Sequence, residues 1–130
     1  MNYITTYCHI NSKSCRVNGT IIVENTGEVW FKNLYRNLDI KYPKFHKMDR
    51  LSQLAFLASE YLIRSNEGIN SYKDDEIALI FSNKTSSLNT DIKYQNSYEN
   101  GGTASPAMFV YTLPNILLGE ISIRNKWYGE

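Results

Sequence analysis

Histidine and cysteine are scarce here: the 130 residues hold two of each, His9, His46, Cys8 and Cys15. Nucleophilic and acid–base catalysis draw heavily on these side chains, so few sites of that kind can be built. Cys8 and His9 are neighbours, but consecutive residues on a strand point to opposite faces, which separates nucleophile from base. His46 stands among Lys44, Lys47 and Arg50, as a surface residue ahead of a helix does. The Cys8–Cys15 spacing matches neither a CxxC redox pair nor a zinc motif. Two free thiols in a cytoplasmic protein are expected, with a disulfide as the alternative. Neither GxGxxG nor GxxxxGK[ST] occurs, so no nucleotide site and no cofactor are expected. No complete catalytic site is expected within this chain.

Excess charge is missing too. The net charge of +1 gives no field directed at nucleic acid or an anionic membrane. Lys13, Arg16 and Lys84 are scattered, and the 10 tyrosines form no regular aromatic platform for bases. The acidic run Asp74-Asp75-Glu76 lacks the loop pattern of an EF-hand and suits a solvated approach to a strand, so no metal site is expected. Long apolar runs are also lacking. The longest, Pro106 to Leu118, is interrupted by Thr112, Pro114 and Asn115, and a bilayer-spanning helix needs about 20 apolar residues. The opening residues Met1 to Thr6 have neither a basic nor an apolar signal region. A cytoplasmic protein without a membrane span is expected.

What is present suits one compact domain over residues 1–130, with 42% hydrophobic and 21% charged residues. Tyr3 to Ile10 is rich in Tyr, Ile and Thr and predicts a strand. Asn18-Gly19 predicts a turn before a second strand, Thr20 to Val23. Glu28 to Leu34 is ambiguous, and Tyr42-Pro43 predicts an extended link. From about Lys47 to Arg64, Met48, Leu51, Ala55, Ala58 and Leu62 recur on one helical face. Phe56 and Leu57 break that stripe, which points to a helix covered on more than one side. Ile77 to Phe81 is almost wholly apolar and predicts a strand covered on both faces, as in a parallel sheet, with a buried helix fragment as the alternative. The loop Ser82 to Ser87 follows it, where open α/β sheets often bind ligands, although a plain surface loop is the commoner case. Within Ser82 to Thr103 there is room for a short helix. A last helix is expected to start near Thr112, with Pro114 in its first turn. Strand, helix, buried strand and helix in succession indicate an α/β layered domain.

The segment Ala104-Ser105-Pro106-Ala107-Met108-Phe109-Val110-Tyr111-Thr112-Leu113-Pro114-Asn115-Ile116-Leu117-Leu118-Gly119-Glu120-Ile121-Ser122-Ile123-Arg124 resembles a segment of the β-ketoacyl-acyl carrier protein synthases, the ketosynthases of the thiolase-like superfamily. Lys47-Met48-Asp49 followed by Gln53 is similar to their Lys-Met-Asp helix motif. Order and spacing agree from about Lys44 to Glu130, while the first forty residues match only in opening on a strand.

The resemblance implies a partial thiolase-like layered sandwich, the opening part of the ketosynthase N-terminal half. Family members condense acyl thioesters with a cysteine nucleophile and two histidines, all placed beyond the matching segment. Cys8, Cys15, His9 and His46 precede the matching positions and do not replace them. The glycine-free loop Ser82 to Ser87 and the end Lys126-Trp127-Tyr128-Gly129-Glu130 depart from the family pattern, which implies a divergent non-catalytic relative or a truncated copy. By position, Ala104, Met108 and Phe109 correspond to acyl-pocket or interface residues, with a plain core role as the alternative. The implied partners are a complete ketosynthase or a second copy of the chain, and an acyl carrier protein. The implied role is that of a ketosynthase-like protein of fatty-acid or polyketide synthesis, non-catalytic alone. A complementing subunit and an acyl-chain-binding module are the alternatives.

Overall fold

A computed structural model describes residues 1–129. Its described residues form a mixed α/β arrangement: a three-stranded antiparallel sheet followed by five α-helices. The strands are β1 (Cys8–Ile10), β2 (Ser14–Val17) and β3 (Thr20–Glu24), in the order β1-β2-β3. Asn18 and Gly19 close the β2–β3 hairpin with φ of 50° and 81°. Both lie in the left-handed region that a tight hairpin requires, which is why Asn-Gly marks the turn. Val17 pairs with Thr20 and Cys8 with Val17, so β2 is central, and Ser14, Cys15 and Val17 are buried. The strand expected over Tyr3 to Ile10 is shorter, because only Cys8 to Ile10 find ladder partners on β2.

The ambiguous stretch around Glu28 to Leu34 resolves into α1 (Trp30–Asn37), which buries Leu34 and Tyr35. Tyr42 sits at φ −135° and ψ 83°, outside the helical region that a following proline disfavours but short of the extended link expected, and a 3-10 turn over Pro43–Lys47 then buries Phe45. Phe45 stacks on Tyr35 with ring centroids 4.3 Å apart and meets Phe56 at 5.5 Å. These rings, with Leu34, Leu38, Leu57, Tyr61 and the β2 side chains, make the core.

Helix α2 (Arg50–Arg64) starts later than Lys47 because Asp49 caps it, its Oδ1 accepting from the Ser52 amide at 2.9 Å. Lys47 belongs to the preceding turn and Met48 follows it, extended. The face turned to the core carries Ser52, Phe56, Leu57 and Tyr61. The stripe Leu51, Ala55, Ala58 and Leu62 is only half-buried and lies on another side. The helix is thus covered on more than one side, as the placement of Phe56 and Leu57 implies.

Beyond α2 come a 3-10 turn (Glu67–Ser71), α3 (Leu88–Glu99), α4 (Pro106–Val110) and α5 (Ile116–Asn125). The last helix, expected to start near Thr112, starts later as α5, and a separate short helix, α4, precedes it. Ser105 caps α4, accepting from the Met108 amide at 3.3 Å, and α5 starts after Asn115. Pro114 disfavours helical geometry in the residue before it, so the chain breaks between Val110 and Ile116. Thr112 sits in that break, its hydroxyl donating to the Phe109 carbonyl at 2.7 Å.

The expected strand Ile77 to Phe81 does not form. Its first four side chains keep a strand's alternation, with Ile77 and Leu79 half-buried and Ala78 and Ile80 exposed, but Phe81 is exposed as well. A strand also needs a neighbour to complete its hydrogen bonds, and none lies along it among the described residues. The sheet that does form is antiparallel and confined to the first hairpins rather than parallel and central.

Candidate functional site

The scarce catalytic side chains do not converge. Cys8 is half-buried while His9, next to it on β1, is exposed, so strand alternation parts them as expected. His46 is exposed and sets its ring edge against Tyr35, 5.1 Å between centroids. Cys15 is fully buried on β2, and both cysteines are free thiols. They lie on the same face of the paired strands, with Cys15 opposite Ile10 and Cys8 opposite Val17. Burial, reinforced by the Cys8 thiol beside it, pushes the Cys15 thiol up to about 12. Burial also raises Cys8, offset in part by its hydrogen bond with Cys15. Nucleophilic cysteines need the opposite, a thiol shifted toward thiolate. Among the described residues, no three His, Cys, Asp or Glu side chains gather as metal ligands, and no helix is long and apolar enough to cross a membrane.

The Lys-Met-Asp motif is built into the scaffold. Asp49 caps α2 through Oδ1, and its Oδ2 accepts from the Thr90 hydroxyl at 2.7 Å, tying α3 to the start of α2. Gln53 donates from Nε2 to the Phe45 carbonyl at 3.0 Å. The loop after Phe81 closes on itself: the Ser86 amide donates to Asn83 Oδ1 at 2.9 Å, and Asn83 Nδ2 donates to the Ser86 carbonyl at 3.0 Å. Ser87, buried, donates to the Thr112 carbonyl at 2.8 Å.

Ala104, Met108 and Phe109 are not brought together into one pocket. Met108 lines a cavity of about 320 Å³ with Met48, Asp49, Thr90, Lys93 and Tyr111. Phe109 is half-exposed and leans on Tyr94, ring centroids 5.5 Å apart. Ala104 is half-buried ahead of α4.

A more apolar concavity lies elsewhere. A groove of about 300 Å³ runs between α2 and α5 and is edged by Leu79, Ile80 and Phe81. Leu51, Leu54, Ala58 and Leu62 form its α2 wall, and Leu117, Leu118 and Ile121 its α5 wall. The groove shows where the stripe along α2 goes: it faces α5 and the apolar segment instead of the main core. Helical spacing reveals such a stripe but not what covers it.

One ion pair joins the two groove helices, and a second ties α5 to the 3-10 turn ahead of α2. Arg124 on α5 reaches Glu60 on α2 through Nε at 2.9 Å and Nη2 at 3.4 Å, with its guanidinium 5.0 Å from the Tyr42 ring centroid. One turn earlier on the same face of α5, buried Glu120 accepts from the Tyr111 hydroxyl at 3.0 Å and lies 2.7 Å from the Lys44 ammonium. Burial and the adjacent Glu120 carboxylate push the Tyr111 phenol upward. Glu120 and Arg124 read as ordinary polar helix residues in the sequence, and only the fold pairs them. The arrangement can bind an apolar group or peptide, and it presents no nucleophile–base pair among the described residues. No protein-family model, curated protein or solved structure matches the chain.

Proposed function

We propose that this chain is a ketosynthase-like accessory protein of fatty-acid or polyketide synthesis, non-catalytic alone and acting through a partner. The observation that carries the proposal is the apolar groove between α2 and α5. Its α5 wall, Leu117, Leu118 and Ile121, comes from the very segment that resembles the ketosynthases. Contiguous apolar surface of this kind marks interfaces, and Ile80 at its margin is 96% exposed. A partial thiolase-like sandwich accounts for both features, since half of such a fold leaves apolar surface for the other half to cover. The partner is a complete ketosynthase or a second copy, with an acyl carrier protein as the further contact.

Co-purification with ketosynthases and acyl carrier protein, combined with light scattering, tests the proposal. A stable complex or dimer is expected. A monodisperse monomer that ignores both proteins would sink it. The groove also favours a second reading, an acyl-chain binder. Thermal shift against acyl thioesters of graded length separates the two, because a binder is stabilised by some chain length and a docking surface by none.

A further inference from the structure

We propose that Tyr3–Tyr7 pairs antiparallel with the same segment of a second copy of this chain, about a two-fold axis through Thr5. The segment is built only of strand formers, Tyr, Ile and Thr, and carries no charge, proline or glycine. Its composition predicts a strand from Tyr3, yet the ladder to β2 begins at Cys8. Tyr7 is anchored at the β2–β3 turn: its amide donates to Asn18 Oδ1 at 3.1 Å, and its carbonyl accepts from the Asn18 amide at 3.0 Å. β2 turns back at Asn18-Gly19, so residues 1–6 extend past it with no strand alongside. Among the described residues they make no backbone–backbone hydrogen bond, and Tyr3, Ile4 and Tyr7 are exposed. A side-chain bond from Asn66 Nδ2 to Thr5 Oγ1, 3.3 Å, steadies the overhang.

Three features make a second copy the occupant. The first is phase. The Tyr7–Asn18 and Asn11–Ser14 bonds fix which residues face β2, so Cys8 and Ile10 turn their amides and carbonyls to the open side of β1. Ile4 and Thr6 fall in that same phase when the strand continues. A two-fold axis through Thr5 sets Ile4 against Thr6 of the second copy, and outward groups meet outward groups. The second is chemistry: Tyr3 then faces Tyr7 of the second copy and Thr5 faces Thr5, pairs that favour antiparallel sheets, with no like charges opposed. The third is the edge itself. Prolines, charges and bulges blunt edges against self-pairing. None occurs from Tyr3 to Cys8, whereas the other edge strand, β3, is bulged at Ile22 and ends on Glu24. A stable interface takes roughly 20–30 residues from each side, so a segment this short gives a weak dimer that forms at high concentration. The contact uses none of the groove residues and does not rest on the functional proposal.

Sedimentation velocity over about a hundredfold range of protein concentration tests the contact. A monomer–dimer equilibrium is expected, with the Ile4 and Thr6 amide resonances shifting as the dimer fills. Ile4→Pro and Thr6→Pro remove those amides and are expected to leave a monomer, while unchanged α2 resonances show an intact fold. Thr5→Cys is expected to cross-link to itself in oxidised glutathione, and the unaltered chain, with Cys8 and Cys15 only, is not. A chain that stays monomeric throughout overturns the proposal. So does a dimer that survives both prolines; its loss in Ile80→Lys would place the contact on the groove instead. A dimer in which Thr6→Cys cross-links and Thr5→Cys does not overturns the two-fold axis through Thr5. Binding of ketosynthase or acyl carrier protein is measured on the Thr6→Pro chain and bears only on the functional proposal.

Discussion

Asp49 ties two helices together. One carboxylate oxygen caps α2 and the other accepts from Thr90 on α3. Asp49→Ala removes both bonds, and loss of a cap alone costs about 1 kcal/mol. Chemical denaturation of Asp49→Ala should therefore show a loss of roughly 1–3 kcal/mol. Thr90→Val, which spares the cap, should lose less. Equal losses would mean that the Thr90 bond, not the cap, is what matters.

Cys15 fixes the sign of a pH effect. Its thiol stays protonated in the fold up to about 12, against an ordinary value of 9.0. Above pH 9.0 the unfolded chain gives up that proton while the folded chain keeps it. The stabilisation is therefore whole below the ordinary thiol value and is lost as pH rises toward the folded value. Tyr61 and Tyr111 are raised too, chiefly by burial, and act in the same direction. Unfolding free energy measured from neutral to strongly alkaline pH should fall from about pH 9 upward. Cys15→Ala should flatten that fall without abolishing it, since the tyrosines remain. An unchanged slope in Cys15→Ala would assign the effect to the tyrosines alone.

At the scale of elements, the contact that shapes the groove is α2 against α5. The Glu60–Arg124 pair is partly buried, with side-chain exposures of 11% and 30%, and Arg124 also covers Tyr42. A double-mutant cycle with Glu60→Gln and Arg124→Ala should give a coupling of about 0.5–1 kcal/mol, lower at high salt. A coupling indistinguishable from zero would leave the apolar wall as the sole link between the helices. Phe56→Ala, at the other face of α2, should cost about 3–5 kcal/mol in chemical denaturation, because Phe56 is fully buried among Tyr42 and Phe45. The two faces of one helix thus do different work, one holding the fold together and one lining the groove.

For the molecule as a whole, uncovered apolar surface is the dominant feature. Ile80 is almost wholly exposed, and Ile123 is 65% exposed. Ile80→Lys should leave stability within about 0.5 kcal/mol, as surface substitutions do. It should also lower binding of an apolar dye and reduce self-association in light scattering. A large loss of stability instead would place Ile80 in packing that its exposure denies.

Much of the local structure was legible in the sequence because it depends on neighbours along the chain. Asn18-Gly19 demanded a tight hairpin, and Pro43 kept Tyr42 out of the helical region. The long apolar periodicity around Leu51 to Leu62 demanded a helix. Each is a short-range steric or solvation requirement that no tertiary contact had to supply. The scarcity and separation of cysteine and histidine were equally legible, since strand alternation alone parts Cys8 from His9.

Partnership was left to the tertiary structure. The identical α2 stripe fits a core or a groove, and only the position of α5 made it a groove wall. Glu120 and Arg124 gained their roles from Tyr111, Lys44 and Glu60, which are distant in sequence or on other elements. Ile77 to Phe81 has the composition of a buried strand, but strand formation is a property of two segments. Composition determines the tendency to pair, while a neighbour alongside decides whether the hydrogen bonds are made.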